Sequence, residues 1–81
     1  MKICRRCGRP ATEEHHVFNA SMRKKSEEYG AVIPLCRHCH EMYHNNAEEY
    51  RKLKAEWQRK IMKENDMSID EWRLEFHKNY L

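Results

Sequence analysis

Eighty-one residues, 40% hydrophobic and 36% charged, make one small domain whose core is marginal without help from a metal. No apolar run approaches the ~20 residues that span a bilayer. The opening Met-Lys-Ile-Cys-Arg-Arg carries no signal-peptide-like stretch, so no membrane role and a cytosolic setting are expected. The formal charge of +3 falls wholly on residues 1–44, with eight Lys/Arg against five Asp/Glu; residues 45–81 balance at eight and eight. An excess of this kind suits a phosphate-facing surface, although many solvated surfaces share it.

The chain opens on a basic knuckle, Cys4 to Cys7, closed by Gly8 and Pro10 as expected of a tight turn around a metal. Arg5, Arg6 and Arg9 crowd the thiols, either to offset thiolate charge or to meet phosphate. Glu14 to Phe18 reads as a short strand, with Val17 and Phe18 favouring a pleated environment. Residues 22–29 read as a loop or short helix closed by Gly30. Within them Arg23, Lys24 and Lys25 form the densest basic run, a solvated face or a contact to nucleic acid. Ala31 to Leu35 is a second apolar strand, placed at an edge by Pro34. It leads directly into Cys36.

Leu35 to His44 packs two cysteines and three histidines into ten residues. A helix starting at the Cys36–Cys39 knuckle puts His40 and His44 on one face, with Cβ atoms roughly 5–6 Å apart. From Ala47 to about Glu64 the recurrence of Tyr50, Leu53, Trp57 and Ile61 predicts a long helix. Asn65 and Asp66 break it. Ser68 and Glu71 predict a capping box for a shorter helix with Ile69, Trp72 and Phe76 on its apolar stripe, Tyr80 after it and His77 within it. That helix is expected to fold back on the long one. A dimer contact through Trp72 and Phe76 is the alternative, so monomer or weak dimer both stand.

Cys4, Cys7, Cys36 and Cys39 fit a closed, tetrahedral, structural zinc site. A redox pair is the weaker reading, because neither knuckle sits in a βαβ pattern. The 28 residues between Cys7 and Cys36 are longer than a simple zinc ribbon spacing. The zinc would therefore staple the ends of a long loop that holds both strands. A site saturated by four thiolates leaves His15, His16, His40 and His44 unexplained. Three imidazoles with open positions describe a catalytic metal site, and a fourth can serve as general base. Adjacent strand residues point to opposite faces, so His15 and His16 divide their roles, though not in a stated direction.

A His-His strand end, a second strand reaching Leu-Cys-x-x-Cys-His and a His four residues later resemble the HNH (ββα-metal, His-Me finger) endonuclease family. The likeness is to its four-cysteine branch, common among bacteriophage proteins. The stretches Cys-Gly-Arg-Pro-Ala-Thr-Glu-Glu-His-His-Val-Phe and Phe-His-Lys-Asn-Tyr-Leu look like small phage members in particular. The resemblance implies an α+β fold: a zinc-clamped ββα core over residues 1–46 and a helical extension, long helix then short, over 47–81. It implies that His15, His40 and His44 hold a divalent metal (Mg²⁺, Mn²⁺, Ni²⁺ or Zn²⁺) and that His16 is the base. The implied reaction is hydrolysis of phosphodiester bonds in double-stranded DNA with little base specificity, leaving 5′-phosphate and 3′-hydroxyl ends.

Arg23, Lys24, Lys25 and Arg37 are the expected DNA contacts. A phage packaging or recombination protein is an expected partner, and the host cytoplasm the expected setting. The chain departs from the family pattern at one position, where Ala31 replaces the Asn that pins the loop aiming the base. Asn19, Asn45 or Asn46 are candidate substitutes. The competing reading is a non-catalytic zinc module that binds DNA or protein.

Overall fold

Two antiparallel strands, β1 (Glu13–His16) and β2 (Val32–Leu35), pair so that His15 faces Ile33 and His16 faces Val32. The computed structural model describes residues 2–18 and 20–81; Asn19 lies outside the described residues. A 3-10 turn (Ala20–Met22) and α1 (Arg23–Glu28) connect the strands. Gly30, at φ +70°, reverses the chain into β2, a conformation that costs a residue with a Cβ. Then follow α2 (Arg37–Asn45), α3 (Ala47–Glu64) and α4 (Ile69–Phe76). Among the described residues no helix is long and apolar enough to cross a membrane.

β1 ends earlier than the run of apolar residues suggests. Val17 still donates its N–H to the Ala31 carbonyl at 2.9 Å. At Phe18 a buried side chain replaces the ladder. Ser26 Oγ accepts the Phe18 N–H at 2.8 Å and donates to the Phe18 carbonyl at 2.6 Å. One hydroxyl thus satisfies both backbone groups of a residue that leaves the sheet for the core.

The core forms where the strand exit meets the helices. Tyr50, Leu53, Trp57 and Ile61 are all buried, as their helical spacing predicts. Asn46 starts α3 by accepting the Glu49 N–H at 3.1 Å, and the Ser68–Glu71 capping box starts α4. Asp66, at φ +49°, ends the long helix. Trp72 and Phe76 lie 5.5 and 4.9 Å from the Phe18 ring, centre to centre, and Phe76 also meets Tyr29 at 5.5 Å.

Two expectations change here. Trp72 and Phe76 are 0% and 1% exposed within the chain's own core, so they offer no dimer surface. His77 is not helical; it caps α4 in the left-handed region at φ +62°. The return to α3 runs through the tail after α4, where buried Gln58 donates to Asn79 Oδ1 and accepts from the Tyr80 N–H, both at 2.8 Å.

Replacing Ser26 with Ala would leave the Phe18 N–H buried and unpaired. The expected cost is about 1–3 kcal/mol, read as a lower urea midpoint. A midpoint equal to that of the parent chain would show that water satisfies the group instead.

Candidate active site

The cysteine centre is assembled by two turns. Cys4 and Cys7 flank a hairpin in which Cys4 N–H bonds the Arg9 carbonyl at 2.7 Å and Gly8 N–H the Cys4 carbonyl at 3.0 Å. Cys36 is the N-cap of α2, and Cys39 lies in its first turn. The hairpin docks on the sheet through Arg5 N–H to the Pro34 carbonyl at 2.9 Å.

All four sulfur atoms lie within 4.8 Å of one another. Cys7 and Cys36 are 3.6 Å apart, sulfur to sulfur. Two thiolates on one zinc at ≈ 2.3 Å stand about 3.8 Å apart, so the set is the right size. Cys4, Cys36 and Cys39 are buried and Cys7 is exposed.

Charge in this centre is unevenly held. Burial pushes the Cys4 thiol up, but backbone N–H groups of Cys36, Cys7 and Arg6 outweigh it and bring Cys4 down to about 6. Burial pushes Cys39 up to about 12, against the opposing pull of Arg6. Four thiolates this close require a cation among them. Arg6 Nη1 reaches Cys39 Sγ at 3.7 Å, and Arg5 lies over the Trp57 ring at 5.1 Å. Arg6 thus stands beside the sulfur cluster, where it can offset thiolate charge.

One turn into α2 the histidines meet the strand. The ring centres of His15 and His40 are 5.0 Å apart, those of His40 and His44 4.8 Å, and those of His15 and His44 6.2 Å. His40 Nε2 and His44 Nε2 face each other at 3.2 Å. Two imidazole nitrogens on one ion at ≈ 2.0–2.1 Å stand about 3–3.4 Å apart, so this pair has chelating separation. The set is more open than the cysteines. Among the described residues only the sulfur cluster brings three or more ligand atoms within 4.8 Å of each other.

His15 is 3% exposed, and its Nε2 has no hydrogen-bond partner. Burial, reinforced by His40 and His44, pushes it down to about 4, so the ring is neutral and its nitrogen free to ligate near neutral pH. Tyr50 and Tyr43 flank the ring at 5.2 and 6.0 Å.

Carboxylates fix the tautomers of two further rings, His40 and His16. Glu13 bonds His40 Nδ1, and Glu27 Oε1 lies 2.9 Å from His16 Nε2. An ionised carboxylate only accepts, so in the neutral ring His40 presents a bare Nε2 and His16 a bare Nδ1. His15, His16, His40 and His44, with Glu14 and Arg23, line a cleft of about 270 Å³.

A model of the HNH endonuclease family matches residues 4–46. The chain belongs to the HNH endonuclease family. Neither the curated proteins nor the solved structures contain a match to it. In this HNH protein the N-terminal hairpin, β1, β2 and α2 are the small α+β unit on which both clusters sit, and α3 and α4 fall outside the matched stretch.

The expected basic contacts separate. Arg23 reaches the cleft and Lys24 is exposed. Lys25 instead bonds Glu75 and lies 3.4 Å from Glu28, which ties α1 to α4. Arg37 pairs with Glu41 at 3.3 Å on the surface. Asn46 is spent as the cap of α3, Asn45 is exposed, and the loop after β1 is held by Ser26 and by Tyr50, whose hydroxyl donates to the Val17 carbonyl at 2.9 Å. His38 is exposed in the knuckle.

Sequence reasoning missed Glu13 and Glu27. Glu13 left a signal, since it shares a strand face with His15. Glu27 left none.

Removing zinc from the sulfur cluster should unfold the chain. Structural zinc contributes about 10–16 kcal/mol, against a net stability of about 5–15 for a whole domain. Titration with a tight chelator should abolish the helical circular dichroism and release one zinc per chain. Retained helicity after zinc release would show that the clamp is dispensable.

Proposed function

We propose that this HNH protein is a metal-dependent endonuclease that hydrolyses phosphodiester bonds of double-stranded DNA with little sequence preference. The observation that carries the reading is the convergence of His15, His40 and His44 on one cleft, with a neutral, unpartnered nitrogen on buried His15 and chelating separation between the other two. These three would hold a divalent ion such as Mg²⁺, Mn²⁺, Ni²⁺ or Zn²⁺. When bound, such an ion supplies Lewis-acid stabilisation of charge on the phosphoryl oxygens and the leaving 3′ oxygen.

His16 is the general base in this reading. Glu27 holds its Nε2–H, which leaves Nδ1 to take a proton from water. The water oxygen bonds to phosphorus as the P–O3′ bond breaks on the opposite side. The products carry 5′-phosphate and 3′-hydroxyl ends. The imidazolium formed on His16 is stabilised by the Glu27 carboxylate beside it. Arg23 on the cleft wall is placed to meet a phosphate, and Lys24 extends that surface. The likeness of its sequence stretches to small phage proteins supports reading the chain, within this proposal, as a phage-encoded nuclease acting in the host.

Plasmid nicking tests the reading, with each of the four ions added to the zinc-loaded chain. His16→Ala should keep its fold and metal content while the nicking rate falls at least ~100-fold. His40→Ala should retain the sulfur-bound zinc and lose the second ion by equilibrium dialysis. A His16→Ala chain that nicks at the parental rate removes His16 from the mechanism. A parental chain that binds DNA with every ion yet never nicks is a binding module.

A further inference from the structure

A second basic site lies outside the family-matched stretch. The first two turns of α3 and the segment after α4 enclose a cavity of about 240 Å³ lined by Tyr50, Arg51, Lys54, Lys78, Asn79 and Tyr80, together with Ala47. Three cations and no carboxylate face it. Among the described residues none of the three has an acidic partner within ion-pair distance, whereas neighbouring Lys52 has both Glu48 and Glu49. Lys54 Nζ sits 4.1 Å from the Tyr50 ring centre and 5.3 Å from that of Tyr80, with Lys78 Nζ 5.8 Å from Tyr80 on its own account.

The arrangement is held, not incidental. Gln58 fixes Asn79 and Tyr80, and Trp72 Nε1 donates to the Lys78 carbonyl at 2.7 Å, so the tail carrying Lys78 is anchored on both sides. Burial, with the neighbouring Lys78 charge, makes the Lys54 ammonium harder to keep protonated. Like charges gathered in a concave, aromatic-walled site repel one another unless an anion occupies it.

The site is also close to the cleft. The Tyr50 ring that carries Lys54 lies 5.2 Å from the His15 ring. Through that ring, Lys54 Nζ lies within about 10 Å of the His15 ring centre, the length of about three nucleotide rises of 3.4 Å.

We propose that this pocket is a phosphate-binding subsite that grips the DNA backbone a few nucleotides from the histidine cleft. The site makes the helical extension part of the substrate surface. The inference rests on the DNA reading above and adds residues to it that lie beyond residues 4–46.

The test is fluorescence anisotropy of a labelled 20-base-pair duplex with the full zinc-loaded chain, no further divalent ion added, across a salt series. An Arg51→Glu/Lys78→Glu variant should bind at least ~10-fold more weakly, with a log–log salt slope shallower by about 2. A Lys63→Glu/Arg73→Glu control carries the same change in net charge at exposed positions in the last turns of α3 and α4, outside the residues that line the pocket, and should bind within ~3-fold of the parent. Equal losses in both variants would reduce the pocket to a general charge effect and overturn the proposal. So would a parent that binds and nicks while Arg51→Glu/Lys78→Glu binds unchanged, an outcome that leaves the nuclease reading intact. A parent that fails to bind DNA at all overturns both.

Discussion

Cys4, Cys7, Cys36 and Cys39 belong to two turns separated by the whole sheet and its connector, and everything else in the matched stretch depends on their meeting. The sulfur cluster fixes the hairpin against the end of β2 and fixes Cys36 as the first residue before α2. With the start of that helix set, its pitch decides where His40 and His44 point. The strand register decides where His15 points. A chain this short cannot hold those vectors by apolar burial alone. The cation that the cysteines would share therefore acts at a distance on the geometry of the histidines.

Among the buried polar side chains, Ser26 and Gln58 are hydrogen-bonded to defined ends. Ser26 closes the backbone of Phe18, and Gln58 gathers the tail. His15 Nε2, like Trp57 Nε1, is left without a partner, but His15 alone of the two stands beside His40 and His44, in a site walled by two tyrosines. An unsatisfied buried nitrogen is costly in a purely structural role. It is reasonable where a ligand will use it. Glu13 and Glu27 extend the same logic outward, each fixing one ring nitrogen so that the other stays bare.

What the sequence made legible followed local rules. The Tyr50–Leu53–Trp57–Ile61 spacing and the Ser68–Glu71 box depend on one helix at a time, and both appear as read. The cysteine spacing announces its chemistry without any fold. The misses are long-range. Nothing near Lys25 shows that Glu75, fifty residues on, will take its charge. The end of β1 was read too late because the ladder is cut by a serine in the connector. Charge counted by chain halves pointed to the N-terminal part. It hid three cations of the balanced C-terminal part, Arg51, Lys54 and Lys78, that line one pocket in space.

Phe18 stands two residues past His16 and is gripped twice, its backbone by Ser26 and its ring by Trp72, Phe76 and Tyr80. The last dozen residues thus seat the exit of the strand that carries the histidine pair. Cut away from them, the family segment would bare an aromatic ring worth about 1.5–3 kcal/mol of burial at the point where the strand leaves the sheet. Grafting that segment alone onto another protein would transplant the ligands without the anvil they rest on, so a portable version must carry its terminus along.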